Sequence, residues 1–194
     1  MRQYIEAKSL SWYAIAGNHD NNPYFDSMLD GHLLTAGTPL QIGSWLLHGC
    51  DTRHPNNLHG AVGQVKQEDV LAIANACEKS TLNINPQHHL VVLHHHIKPS
   101  NSWMDKHALE GAEKIEALAS TQPGIKALLH GHVHSPIRQS IGQNATPSFG
   151  CPSSCWQWAM EEAFGISNED PGYQFIMLSD NGDISVDVKR VAYR

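Results

Sequence analysis

Three short stretches carry side chains that could do chemistry together: Gly17-Asn18-His19-Asp20, His94-His95-His96 and Gly131-His132-Val133-His134. Asn18 offers a neutral carbonyl oxygen, and His95, His132 and His134 offer imidazole nitrogens. That donor set suits a borderline ion such as Mn2+, Zn2+ or iron. On a continuing strand His132 and His134 would point to opposite faces. On a loop leaving a strand they can converge, or serve two different ions. His19 can reach a bound substrate while its neighbour Asn18 holds the metal. Asp20 can fix the tautomer of a site histidine through a ring nitrogen, or cap the turn in which it stands. Only one or two of the triplet can face a single site, and His95, in the middle, is the candidate. His107 and His130 read as structural, and Trp103, Trp156 and Trp158 as packing residues.

Each stretch needs an element to deliver it. The apolar run at 11–16 suits a buried strand ending at Gly17, and residues 1–9 read as the end of a preceding helix. Leu90-Val91-Val92-Leu93 is the clearest buried strand, and it ends at the triplet. Residues 125–129 give a third strand pattern, running into His130 and the Gly131 loop. An amphipathic helix is predicted over 67–79, with Val70, Leu71, Ile73, Ala74 and Cys77 as its apolar stripe. A second is predicted over 105–120, carrying Leu109, Ile115 and Leu118 and stopping before Pro123-Gly124. Earlier come a short helix over 24–34, a hairpin of 40–42 and 44–50 turning at Gly43, and a loop over 51–63. The tail reads as another hairpin, 173–178 and 184–188, turning at Asp180-Asn181-Gly182-Asp183. Strands alternate with helices, and the polar clusters follow strand ends, where ligands bind in layered α/β folds.

The bulk numbers narrow the class. A chain of 194 residues fits one domain, and 41% hydrophobic content is enough for a core. No run approaches the ~18 apolar residues of a membrane span, and the N-terminus lacks the apolar core of a signal peptide. The expectation is a cytoplasmic protein with no membrane partner. A net charge of -6 argues against a nucleic-acid surface. Histidines, at 14, outnumber Lys plus Arg, at 13. Cys50, Cys77, Cys151 and Cys155 lack zinc-finger spacing and read as reduced thiols. There is no internal repeat, and composition says nothing of oligomeric state.

In this order and spacing, the three strand-plus-motif units resemble the C-terminal signature set of the calcineurin-like metallophosphoesterase superfamily. Finer features resemble its bacterial 3',5'-cyclic AMP phosphodiesterase branch. They are the triplet after Val91-Val92-Leu93, the Asp51 loop running into Gly60-Ala61-Val62-Gly63 ahead of Gln67, Thr146-Pro147-Ser148 before a cysteine, and Asp170-Pro171-Gly172-Tyr173. The resemblance implies an α/β fold, a four-layer α/β/β/α sandwich around two divalent metal ions (Mn2+, Fe2+/Fe3+ or Zn2+). It implies that Asn18, His95 and His132 ligate one metal and His134 the other. His19 would be the catalytic histidine near the phosphoryl oxygens and leaving group. The implied activity is hydrolysis of a small-molecule nucleotide, 3',5'-cyclic AMP, to AMP.

The family also carries an Asp-x-His and a Gly-Asp ahead of these motifs, which supply further ligands and the bridging carboxylate. Residues 1–16 contain no aspartate. One Asn and three His are all neutral, against the four positive charges of two divalent ions. The chain is therefore expected to hold at most one ion, weakly. Residues 1–194 are expected to be the C-terminal two-thirds of a single domain, N-terminally truncated. The alternatives are a non-catalytic relative that only binds metal or phosphate, and a phosphatase or nuclease of the same superfamily.

Overall fold

Leucine- and valine-rich runs build the centre. A computed structural model describes residues 8, 10–22, 24–57, 59–82 and 87–192. The first half comprises α1 (Phe25–Met28), β1 (Leu40–Ile42), β2 (Trp45–Cys50), β3 (Gly63–Gln64), α2 (Gln67–Thr81) and β4 (His88–Leu93). The second comprises β5 (Leu109–Glu110), α3 (Ala112–Thr121), β6 (Ile125–His130), β7 (Arg138–Ile141), β8 (Thr146–Gly150), β9 (Gln157–Trp158), β10 (Ile166–Ser167), β11 (Gly172–Leu178) and β12 (Ile184–Arg190). The main sheet has six strands in the order β1-β2-β4-β6-β8-β7. Its middle strands β2, β4, β6 and β8 run parallel, with β1 and β7 antiparallel at the edges.

Parallel neighbours need crossover connections, and α2 and α3 supply them between β2 and β4 and between β4 and β6. Val70, Ile73 and Cys77 of α2 and Ile115, Leu118 and Ala119 of α3 are buried with Val91, Leu93, Ile125 and Leu128 of the sheet. Leu71, which the periodicity assigns to the stripe, is 53% exposed. The β11–β12 hairpin covers the other face, where Leu178, Ile184 and Val186 pack on Trp45, Leu90, Ala127 and Phe149. The Trp45 indole donates to the Ser179 carbonyl at 2.8 Å and pins the hairpin tip. Its register closes Leu178 on Ile184, around the Asn181-Gly182 turn that the sequence signals. Helix, sheet and second-sheet layers of the α/β sandwich thus follow in order.

Several expectations change. Residues 11–16 do not form a strand, because Ala14 makes only an isolated parallel bridge to Leu33. An apolar run without a ladder partner along its length stays irregular. The helix over 24–34 shrinks to α1, and His32 instead stacks on Trp12 at 3.9 Å. The helix over 105–120 begins only at Ala112. Trp103–His107 form a 3-10 turn, and Leu109–Glu110 pair with Gly63–Gln64. Gly111, at φ 77, takes the left-handed geometry that separates that strand from α3. Strands β7 to β10 carry polar or proline-containing segments with no period-2 apolar signal. The helix read at 1–9 lies outside the described residues, Lys8 apart.

One polar chain crosses the core. His48 Nε2 and His89 Nδ1 are 2.9 Å apart on β2 and β4, and His89 Nε2 lies 2.8 Å from Ser80 Oγ on α2. All three side chains are buried. Burial pushes His89 down to about 4, so the pair is neutral at neutral pH. No described helix is long and apolar enough to cross a membrane.

Candidate metal centre

Because β4 and β6 are neighbours, the residues beyond their carboxyl ends meet. His94 Nε2 lies 2.9 Å from Asn18 Oδ1 and 3.2 Å from His132 Nδ1. Donor atoms bound at ~2.1 Å to one ion stand roughly 3.0–3.4 Å apart in octahedral or tetrahedral geometry. The observed spacings are hydrogen-bond distances close to those of such edges. Ring nitrogens of His94, His95 and His132 all lie within 4.8 Å of one another. The Asn18 amide donates to the Gly60 carbonyl at 3.5 Å, which leaves Oδ1 to the histidines. A Cβ on Gly17 would stand 2.9 Å from the His94 ring, so the motif's glycine makes room for it.

A metal fits this cluster. His95 Nε2, whose ring also offers Nδ1 to Thr52, is buried with no hydrogen-bond partner. Such orphaned atoms are rare in native interiors unless a ligand or water satisfies them. Burial, the largest cause, lowers His94 to about 4 and His95 to about 3, and pushes His132 further down. Neighbouring rings add to each shift. All three rings are therefore neutral at neutral pH and keep lone pairs for an ion.

The Gly131 loop aims its two histidines apart. His132 and His134 have φ of 65 and 45, a region disfavoured for residues with a Cβ. Strain of this kind persists where the surroundings enforce it. Val133 between them is fully buried. Gly131 N–H donates to the His94 carbonyl at 3.1 Å, and Cys151 N–H to the His130 carbonyl at 2.7 Å. His132 turns into the cluster. His134 is half-buried, and its Nδ1 donates to the Trp156 carbonyl at 3.1 Å. A carbonyl only accepts, so the tautomer is set and Nε2 keeps its lone pair. The His134 ring stacks on Trp158 at 5.2 Å and 11°.

The triplet divides by strand parity. His94 continues the face of Leu90 and Val92, and His95 that of Val91 and Leu93. The geometry thus puts His94 nearest Asn18, where the sequence pattern favours His95. His95 stands behind it, with Nδ1 2.7 Å from Thr52 Oγ1. A Cβ on Gly63 would collide with its ring. His96 stacks on His132 with ring centroids 5.8 Å apart and lies 3.4 Å from Asp105. Thr52 had no sequence signal of its own, since it acts through a ring 43 residues away. Its neighbour Asp51 pairs with Arg53 and Lys66. Burial alone would raise that carboxyl, but the two cations together hold it below the usual range.

Asp20 does not bond a site ring. Its carboxylate accepts the Gly17 N–H at 2.9 Å and caps the turn, because the short helical turn at Asn18–Asp20 leaves that donor open. His19 is exposed at the mouth of a cavity of about 370 Å3. Asn18, His94 and His132 line that cavity, and so do Trp103, Trp156 and Trp158, which the sequence reading treats only as packing. His107 lines it too, whereas His130 is buried, its Nδ1 donating to the Gly131 carbonyl at 3.1 Å.

An amide oxygen and neutral imidazoles at strand ends of a layered α/β sheet form a cluster that could hold a metal ion. A calcineurin-like phosphoesterase family model matches residues 1–136, and the chain belongs to that family. It is 31% identical over 188 residues to the 3',5'-cyclic adenosine monophosphate phosphodiesterase CpdA of Haemophilus influenzae, covering 95% of this chain and 64% of that protein. Identity to the CpdA of Escherichia coli K12 is 26%, covering 92% of this chain and 62% of that one. Identity to a 3',5'-cyclic-nucleotide phosphodiesterase of Nostoc is 24%, covering 100% and 70%. The chain thus spans roughly two thirds of the length of the curated relatives it matches. A solved Staphylococcus aureus protein, provisionally described as a 5'-nucleotidase, superposes with a TM-score of 0.50 at 14% identity, covering 99% of this chain and 42% of that one. That likeness speaks for the sandwich architecture alone.

Proposed function

We propose that this chain carries part of the active centre of a metal-dependent phosphodiesterase that hydrolyses 3',5'-cyclic nucleotides, cyclic AMP to AMP. The observation that supports this most is the close approach of Asn18 Oδ1, His94 Nε2 and His132 Nδ1 at the strand ends. The relatives' names supply the substrate class. Asn18, His94, His95 and His132 are the residues proposed to hold one ion, Mn2+, iron or Zn2+. His134 is proposed to serve a second ion in a dinuclear centre. Such ions, when bound, polarise phosphoryl oxygens as Lewis acids. His19, exposed beside Asn18, is proposed to carry a proton on its ring to the departing ribose oxygen. Four unpaired cysteines agree with a cytoplasmic setting.

One observation favours a second reading. The metal cluster contains histidines and no carboxylate, so two ions would meet little compensating charge. On that reading the chain binds metal or phosphate without turnover. Cyclic AMP and bis-p-nitrophenyl phosphate hydrolysis, measured with Mn2+ titrated calorimetrically in parallel, separates the two. Turnover that needs Mn2+ and prefers cyclic AMP is the expected result for the phosphodiesterase. Binding without turnover establishes the second reading, and preference for a phosphomonoester or a nucleic acid points to another member activity of the family. No Mn2+ binding at all overturns both.

A further inference from the structure

Five tryptophans stand in this chain, and Trp103, Trp156 and Trp158 line the same cavity as the histidines. Trp158 is held from several sides. His134 stacks on it at 5.2 Å, Trp103 meets it edge-on at 5.2 Å and 83°, and Phe164 closes in at 5.7 Å. Trp156 leans on Trp158 at 5.8 Å and 65°, yet 50% of its surface stays open to solvent. A half-exposed indole braced by a half-buried aromatic neighbour is a stacking surface in want of a partner.

Trp103 Nε1 is buried without a partner, but the polar groups of the Ser153–Gln157 segment are largely spent on one another. Gln157 donates to the Ser153 carbonyl at 2.8 Å and accepts the Ser153 N–H at 3.1 Å. Ser153 Oγ accepts the Cys155 N–H at 3.2 Å. No Lys, Arg, Asp or Glu is among the described residues that line the cavity. The wall can therefore grip a flat π face, and has little with which to read the hydrogen-bonding edge of one base against another. His134 joins wall to floor, since it bonds the Trp156 backbone, stacks on Trp158 and follows His132 on one loop. About 370 Å3 lies within the range of roughly 300–1,000 Å3 usual for small-molecule sites.

We infer that Trp156, braced by Trp158, which Trp103 in turn meets edge-on, is the platform on which the base of a nucleotide stacks while its phosphate lies on the histidine floor. The inference rests on the phosphodiesterase reading for the phosphate, and on the wall alone for the base. It makes the substrate class phosphoesters bearing a planar aromatic group, purine or pyrimidine alike, and disfavours aliphatic ones such as glycerophosphodiesters.

Indole fluorescence of the full chain with Mn2+ tests it, with AMP, uridine monophosphate, ribose 5-phosphate and adenosine as probes. AMP and uridine monophosphate should bind about tenfold more tightly than ribose 5-phosphate, the scale of one base–aromatic stack. Trp156→Leu should erase that advantage and leave ribose 5-phosphate unchanged, while Trp156→Phe should keep part of it. Equal affinity for AMP and ribose 5-phosphate, or an advantage that survives both Trp156→Leu and Trp158→Leu, overturns the platform. If neither Mn2+ nor ribose 5-phosphate binds, the phosphodiesterase reading fails and adenosine still decides the platform. Quenching by adenosine that Trp156→Leu abolishes upholds it, and no quenching by adenosine sinks it.

Discussion

The two sides of the cavity are built on opposite terms. The histidine floor hangs from the ends of β4 and β6, six-residue strands whose side chains are mostly buried. Its rings are neutral, with His95 and His132 buried and His94 half-buried, and the gaps left by Gly17 and Gly63 accommodate His94 and His95. The aromatic wall rests on β9 and β10, two residues each, and on a 3-10 turn. The difference teaches that the atoms for chemistry sit on the rigid part of the molecule, whereas the surface for recognition sits on short, half-exposed pieces. Donor spacing tolerates little error, while a stacked ring tolerates sliding. The two functions should therefore come apart under mutation.

The largest expected effect is on the floor. His132→Ala should cut Mn2+ affinity by more than about 100-fold, beyond the range seen for residues that merely support a ligand. Trp156→Leu should leave Mn2+ affinity unchanged, and calorimetric titration of both variants checks the separation. Equal losses in the two would dissolve the distinction between floor and wall.

Acid tests the scaffold under the floor. Folding holds His89 at about 4 against its ordinary 6.5, so the unfolded chain takes up a proton that the native chain refuses. The stabilisation from keeping it neutral is complete above pH 6.5 and is lost as pH falls toward 4. The loss from His89 should approach roughly 3 kcal/mol. Urea unfolding at pH 7 and at pH 4.5 measures it, and stability that does not fall toward the acid side would contradict a neutral His48–His89 pair.

The smallest effect sharpens the picture within the floor. Thr52→Val removes the hydroxyl 2.7 Å from His95 Nδ1 and keeps the shape. Mn2+ affinity should drop about tenfold, as for other partners that orient a ligand ring. An unchanged affinity would mean that His95 is a packing residue and that Asn18, His94 and His132 suffice.

The rigid side was also the more legible in sequence. Leu90 to Leu93 and the Asn181-Gly182 turn announce themselves by period and turn chemistry, and the structure has both. The start of α3 was misplaced because Gly111 reads as a tolerated helix glycine until its φ is known. β8, with Pro147 inside it, owes its place in the sheet to partners on both sides rather than to its own composition. Within the site, the motifs locate the histidines, but choosing between His94 and His95 requires the parity of β4. Trp156 and Trp158 carry no signal at all until β9 and the Gly131 loop bring them to His134.

The floor also has a kinetic meaning. Asn18 and His94 are 76 residues apart, and His94 and His132 are 38 apart. Both distances must be closed, and β4 must lie beside β6, before any two of these donors share a neighbourhood. An ion that recognises only the assembled cluster arrives after the slow steps of folding. It should act as a latch, leaving the refolding rate nearly untouched and lengthening the lifetime of the native state.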